Sequence, residues 1–441
     1  MAGDAPASQL PDNWAKLKVS QLIGNGWLEI GDGYRAKNSE MADTGLPFVR
    51  AGDVNGRVNT TGVDLLGEAS LASVGNKRSQ PGDAVITTKG TIGRMALVRP
   101  DDPAFIYSPQ LCFWRSLNPR RIDPSWLYYA LHSEEMRHQM SWSAAQTDMA
   151  PYISLTDQRT VFEITLPPID DQISIGGVLL GLDMKIDLNR QMAMTLEEIA
   201  RALFKSWFVD FDPVHAKAEG RDTALPADIA ALFPDGFDDD GLPKGWLWKR
   251  ADEIAGSVRS TADPKALPPE TPYVGLEHMP RKSLGMDSHG YASDVESGKL
   301  YFKAGDLLFG KLRPYFHKVS VMSFEGIASS DIFVFRAKSE KYRALMYFGF
   351  SEEKFVASAS GASTGTRMPR ADWSYMSEQQ FASDDGKVLE AFNEIALSHI
   401  AQIGKRLAEC QNLEQLRDAL LPKLLSGELR VDDAANSIAA A

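Results

Sequence analysis

A chain of 441 residues is longer than one ordinary domain, and at about 150 residues per domain it holds two to four units. Its 44% hydrophobic and 24% charged residues are those of a soluble globular protein, and no run approaches the roughly 18 apolar residues of a membrane span. Two cysteines, Cys112 and Cys410, exclude a disulfide scaffold and a cysteine-based zinc site, and fit a cytoplasmic protein. The opening MAGDAPASQLPDNW has neither the basic start nor the apolar core of a secretory signal. The net charge of −12 speaks against a polyanion partner, but it is unevenly spread. Residues 161–241 carry 6 Lys+Arg against 16 Asp+Glu, and residues 381–441 carry 6 against 10. Residues 1–160 carry 16 against 17, and residues 242–380 carry 19 against 16, so each long stretch has enough cations for a basic face.

In chain order, residues 1–168 show short apolar runs (AVITT, RMALV, QLCFW) punctuated by Gly, Pro, Asn and Asp. They predict a mostly β module with a helix near 124–140. Residues 169–208 predict one long helix. Ile175, Leu179, Leu182, Ile186, Asn189, Ala193, Leu196, Ala200, Leu203 and Trp207 alternate steps of four and three, a heptad seam with one polar position. Residues 209–241, acidic and rich in Pro and Gly, predict a surface connector with a short helix at 226–233. Residues 242–382 repeat the β-rich pattern (DLLFG, HKVSV, DIFVFR), with a helix near 340–357. Residues 383–426 predict a second long helix with its seam at Ala396, Ile400, Ile403, Leu407 and Cys410, continued by Leu413, Leu416, Leu420 and Leu424. Paired acids, Asp170-Asp171 and Asp384-Asp385, stand where each long helix starts and suit its N-terminal dipole. About 38 residues make a rod of roughly 57 Å. Two such seams either pack on each other or bury in their own modules. Residues 427–441 read as a tail, frayed after Arg430.

The halves repeat each other. LPDNW (10–14) returns as LPKGW (242–246), LPFVRAGDV (46–54) as TPYVGLEHM (271–279), and PGDAVIT (81–87) as AGDLLFG (304–310). SPQLCFWR (108–115) aligns with SSDIFVFR (329–336), LYYALHSEE (127–135) with LMYFGFSEE (345–353), and LEEIARALFKSWF (196–208) with LEQLRDALLPKLL (413–425). Six matches in one order, with an offset drifting from 232 to 217, read as a duplication and an internal pseudo-twofold.

Chemistry-bearing motifs are missing. There is no phosphate-binding G-x-x-x-x-G-K-[ST], no DPPY- or NPPF-like tetrapeptide, no G-x-S-x-G elbow, and no metal-ligand spacing among the seven His. Gly24-Asn25-Gly26 opens no dinucleotide or methyl-donor helix, and Glu352-x-Lys354 with Asp331 is a nuclease-like pattern whose counterpart, Glu134-x-Met136, lacks the lysine. The residues point to a chain without an active site.

LFKSWFVDFDPV (203–214) and LLPKLLSGEL (420–429), together with LPFVRAGDV, GDAVITTKGTIGR, GDLLFGKLRP and SGASTGTRMPRADW, resemble type I restriction–modification specificity subunits over roughly residues 10–430. The resemblance implies an α+β chain of two mixed α/β target-recognition domains separated by two long antiparallel coiled-coil helices. Each domain would read one half of a bipartite site in double-stranded DNA, and the helices would set the gap. Two modification subunits would add methyl groups from S-adenosylmethionine to adenine, and restriction subunits would use ATP and Mg. This chain itself would hold no cofactor and no metal, catalyse nothing and touch no membrane.

Within that frame, the first module's contact residues are Thr87, Thr88, Lys89, Thr91 and Arg94, a polar glycine-bearing run that lets cations approach phosphates, with the amides Gln110 and Gln146 suited to adenine. In the second module they are Lys311, Arg313, Tyr315 and His317, and then Ser363, Thr364, Thr366 and Arg367. For partner docking the aromatic cluster Phe204, Phe208 and Phe211 stands out, with Trp207 on the seam. Two competing readings remain: a self-contained methyltransferase or nuclease, for which no motif speaks, and a protein-binding scaffold that reads no DNA.

Overall fold

The computed structural model describes residue 11 and residues 13–146, 150–361 and 369–431. The chain divides into two compact units, Met1–Met184 with Glu414–Ala441, and Lys185–Leu413.

In the first unit the strand Leu111–Ser116 lies between Leu28–Asp32 and Ala84–Thr87, and Met95–Leu97 completes a four-stranded antiparallel sheet. A second sheet orders Ile106–Tyr107, Leu46–Val49, Leu65–Leu66 and Met41–Ala42, with its first pair parallel. A ladder of Ala15–Lys18 with Glu163–Leu166 closes the module. The second unit repeats this order. Ile332–Ala337 lies between Ala255–Val258 and Leu307–Gly310, followed by Val319–Val321. Its second sheet contains a parallel pair, Pro272–Val274 with Gly326–Ala328, and its closing ladder is Leu247–Arg250 with Gln380–Ser383. The duplication read from six short matches is therefore a duplication of topology.

One device recurs at the start of the strands Ala84–Thr87 and Leu307–Gly310. Asp83 accepts two 2.7 Å bonds from Nε and Nη2 of Arg115, and a 2.6 Å bond from the Tyr107 hydroxyl. Asp306 accepts two 2.7 Å bonds from Nε and Nη2 of Arg336. Each aspartate also accepts the backbone N–H three residues before it, from Gln80 and Lys303. A bidentate guanidinium satisfies the planar carboxylate, which makes its burial tolerable.

The helix expected near 124–140 is two, Pro124–Ala130 and Glu134–Ala144, because Ser133 caps a fresh start by accepting the Met136 N–H. Its counterpart splits likewise into Arg343–Phe350 and Glu353–Gly361. The connector departs from expectation. It holds a helix at Asp212–Ala218, with Pro213 in its first turn, besides a short one at Ala227–Ala230. Val214, Ala216 and Phe233 are buried in it, so this acidic stretch contributes to the core instead of merely crossing the surface.

The two long helices are Ile169–Phe208 and Lys387–Ser426, each of 40 residues. The second is capped by Asp384, whose carboxylate accepts the N–H groups of Val388 and Leu389. Within each unit their segments run antiparallel. In the first, Arg417 Nη1 meets Asp183 at 2.7 Å, and the Tyr129 hydroxyl meets the other oxygen at 2.6 Å. Farther along, Pro11 and Trp14 pack on Gly427, and Trp14 Nε1 donates to Asp171. In the second unit, Cys410 Sγ meets the Ile186 carbonyl, Arg406 meets Asn189, and Ala193 packs with Ile403 and Leu407. The seams thus pack on each other. Their polar member Asn189 is fully buried, the kind of position that fixes register at a cost in stability.

Candidate nucleic-acid interface

The first module's central strand, Ala84–Thr87, is buried throughout, and the chain leaves it at Thr87. The Thr87 hydroxyl donates to the Thr91 carbonyl at 2.5 Å and accepts the Arg94 N–H at 2.9 Å, closing a turn across residues 87–94. Gly90 and Gly93 both sit at φ 81, a left-handed conformation that a side chain would strain. Beside the turn, the Thr88 N–H donates to the Gln110 carbonyl at 2.8 Å, and the Thr88 carbonyl accepts the Ile153 N–H at 3.0 Å. Lys89 bridges Tyr152, and its Nζ lies 5.4 Å from the centre of that ring. Three segments distant in sequence therefore meet at one tip. Lys89, Thr91, Arg94 and Gln110 are exposed there. Gln110 Oε1 accepts the Ala51 N–H at 3.2 Å, which orients the amide and leaves its Nε2 donors for a ligand.

The second module builds the same junction. The Lys311 N–H donates to the Asp331 carbonyl at 2.8 Å, and the Lys311 carbonyl accepts the Ala371 N–H at 2.8 Å. Leu312 bridges Arg370, and the Arg313 N–H donates to the Pro369 carbonyl at 2.9 Å. Arg370 Nη2 pairs with Asp331 at 2.8 Å. Lys311 Nζ lies over the Phe333 ring at 4.5 Å and donates to the Ser330 carbonyl. Burial, reinforced by Arg259 and Arg370, lowers its pKa from the ordinary lysine value. The cations Arg281 and Arg313 flank Phe316, at 4.2 and 6.0 Å from its ring centre, and Tyr315 stands exposed beside them.

Several expected contact residues are supports instead. Thr87 and Thr88 are buried, their hydroxyls spent on the turn and on the Gln110 carbonyl. His317 is buried too, its Nε2 donating to the Ser351 carbonyl at 2.9 Å. Gln146 is exposed beyond the helix Glu134–Ala144, and among the described residues no hydrogen bond joins it to the turn. Ser363, Thr364, Thr366 and Arg367 lie outside the described residues.

The docking role expected of Phe204 and Phe208 meets a plain obstacle: both are buried in the second unit's core. Phe204 packs on Phe348 and Phe392, Phe208 on Trp246 and Phe392, and Trp207 on Phe233 and Phe392. Phe211, left-handed at φ 54, is half-buried against Phe237 and Trp246. These aromatics anchor the end of the central helix to its own module. Exposed apolar residues lie elsewhere on that helix, at Leu188, Met192 and Ile199, spaced by four and seven along one side.

Sequence reasoning missed Tyr152, Arg281, Asp331 as a partner of Arg370, and Arg370 itself. The basic pair in PRKS (280–283) was a signal for Arg281; Tyr152 had none, since only folding carries it to Lys89. Among the described residues no group of His, Cys, Asp and Glu is placed to hold a metal ion, and no helix is long and apolar enough to cross a membrane.

No family model matches the chain. It is 24% identical over 458 residues to the type I restriction enzyme HindI specificity subunit of Haemophilus influenzae, covering 89% of this chain and 99% of that one. It is 23% identical over 371 residues to the type I restriction enzyme MjaIX specificity subunit of Methanocaldococcus jannaschii, covering 80% and 78%. Its fold matches the crystal structure of a type I restriction–modification S subunit from M. genitalium, with a TM-score of 0.56 at 15% identity over 95% of this chain and 98% of that one. Two sequence relatives matched over most of their length, a shared fold and an internal duplication with paired long helices make this chain a homologue of type I restriction–modification specificity subunits.

Proposed function

We propose that the chain is the DNA-reading subunit of a type I restriction–modification complex, supplying recognition and no chemistry. Each module reads one half of a bipartite site in double-stranded DNA, and the two long helices set the unread gap. The observation that carries this reading is the repeated tip. In both modules the strand that leaves the sheet is stitched to two distant segments, and the junction displays cations and an oriented polar side chain. Such an arrangement suits a phosphate backbone with base edges between its phosphates. Its partners are adenine methyltransferase subunits, two per chain, which carry S-adenosylmethionine, and restriction subunits that use ATP and Mg. The exposed apolar flank of the central helix at Leu188, Met192 and Ile199 serves to dock a methyltransferase subunit, in place of the buried Phe204 and Phe208.

The test is adenine-methylation mapping in cells that express this chain with its cognate modification subunit, against each alone. A split motif that appears only with both is the expected result. An assembled complex that methylates no new motif, and holds DNA without the steep salt dependence of phosphate contacts, leaves a scaffold without DNA readout. A second arm addresses the gap. Ile186 faces Cys410 across the seam, so seven residues must leave both helices together, 186–192 and 404–410. That deletion keeps heptad phase and removes about 10 Å, or about three base pairs of gap. Unchanged half-sites with an unchanged gap rule out the helices as a ruler.

A further inference from the structure

We propose that Tyr315 is an aromatic wedge, which enters the half-site read by the second module and stacks against a base step that it opens. The proposal rests on the DNA-reading function above and gives it an asymmetry, since the turn at 87–94 in the first module bears no aromatic residue.

The turn that carries Tyr315 is strained and held. Pro314–Phe316 form one helical turn between two non-glycine residues in the left-handed region, Arg313 at φ 50 and His317 at φ 53. Such conformations persist only where the surroundings impose them, and they gather at functional sites. Here the surroundings are explicit. The Arg313 N–H donates to the Pro369 carbonyl at 2.9 Å, and the His317 carbonyl accepts the Lys282 N–H at 2.8 Å. Pro314 and His317 are buried, and His317 Nε2 is tied to the Ser351 carbonyl. The turn is thus anchored at both ends, and the side chain it presents is Tyr315. At 55% exposure this is the most exposed large aromatic residue among those described.

What lies around Tyr315 indicates its ligand. Its ring meets Phe316 edge to face at 4.8 Å, and Phe316 in turn carries Arg281 and Arg313 on its ring. Among the described residues neither arginine has a carboxylate partner, and the Tyr315 hydroxyl has no hydrogen bond. An exposed ring on a rigid support, with unpaired guanidinium groups beside it, combines a stacking surface for a base with cations for the flanking phosphates. A protein partner would satisfy the ring equally, but two uncompensated cations next to it favour a polyanion.

The experiment uses the assembled complex of this chain with its modification subunit. The probes are duplexes carrying 2-aminopurine singly at each position of the second half-site except the methylated adenine, which the methyltransferase flips out by itself. With wild-type protein, fluorescence should rise several-fold at one step. Tyr315→Ala should abolish that rise and weaken binding about 10-fold or more. Tyr315→Phe and Tyr315→Trp should keep both. If the rise survives Tyr315→Ala, or if Tyr315→Phe loses as much as Tyr315→Ala, the wedge is wrong and Tyr315 is a bystander or a hydrogen-bond donor, while the DNA-reading function stands. If wild-type complex shows no salt-dependent hold on the duplex, that function falls and takes the wedge with it.

Discussion

Thr88 in the first module and Lys311 in the second hold the same place: each donates its N–H to the carbonyl just before the neighbouring strand and accepts an N–H from a segment more than 50 residues farther on. The neighbouring carbonyl belongs to Gln110 in one case and to Asp331 in the other. From this shared backbone the side chains diverge. The first tip displays an oriented amide and a lysine resting on Tyr152. The second displays a carboxylate clamped by Arg370, a lysine drawn down onto Phe333, and an exposed tyrosine on Phe316, whose ring carries two arginines. At the other end of the same strands, both modules keep the bidentate Asp–Arg pair, Asp83 with Arg115 and Asp306 with Arg336. Duplication has therefore kept the frame and varied what it presents, which is what the proposed reading of two different half-sites requires.

The frame gives the largest expected effect. Asp83→Ala takes the bidentate partner from buried Arg115 and leaves it only the carboxylate of Glu29, 3.6 Å from its Nη1, and losing one partner of a buried pair costs about 3–5 kcal/mol. Asp306→Ala exposes a gentler version of the same fault, because the Arg336 side chain is 44% exposed and water can take over part of the role. There the cost should be about 1.5–3 kcal/mol, the range for a hydrogen bond to a charged group. Urea denaturation of the two variants should rank them in that order. Equal losses would mean that the pairs contribute through the backbone turn each aspartate closes, and not through the buried ion pair.

The tips give an intermediate effect. Gln110→Leu should relax the first half-site at one position and leave the second untouched, with a discrimination loss of about 1–3 kcal/mol. Arg370→Ala should do the reverse. Asp331→Asn frees Arg370 from its clamp and should broaden, not abolish, recognition in the second half. Lys89→Ala and Arg94→Ala should weaken binding evenly across sequences and lower the salt slope by about one each. Methylation mapping separates these outcomes. A change in both halves from any single tip variant contradicts one module reading one half.

How much of this was legible in the sequence depended on the distance between the residues concerned. The long helices announced themselves, because a seam is a local repeat and Ile175 to Trp207 can be counted off without a fold. The duplication was legible for the same reason, as order and spacing. The Asp83–Arg115 pair was not, although both residues sat inside the repeated segments, since only the sheet brings together residues 32 positions apart. Thr87 and Thr91 looked alike in one polar run. Burial separates them, because the strand extends through Thr87 and its hydroxyl turns inward to hold the loop. Phe204 and Phe208 misled for the converse reason. An aromatic cluster at a helix end looks like an exposed patch until Phe348 and Phe392, some 140 to 190 residues farther on, arrive to cover it.

His317 offers the smallest effect, and one that separates support from contact. It is buried beneath the second tip with its Nε2–H on the Ser351 carbonyl. Burial lowers its pKa below the usual 6.5. The Ser351 hydrogen bond and Glu353 oppose that shift, and Arg201 and Lys282 reinforce it. A histidine depressed in the folded state binds its proton more readily when unfolded. Its contribution is therefore complete above about pH 6.5 and is lost as pH falls from there toward the folded value. The cost is about 1.4 kcal/mol for each unit of depression, and each kcal/mol corresponds to about 2–4 °C in a unit of this size. Wild-type protein should thus melt lower at pH 5.5 than at pH 7.5. His317→Gln keeps a donor for the Ser351 carbonyl but cannot titrate, and should flatten that part of the profile while leaving the second half-site unchanged. If instead His317→Gln alters which bases are methylated and leaves the pH profile intact, the imidazole meets DNA after all, and the turn that presents Tyr315 must open to let it.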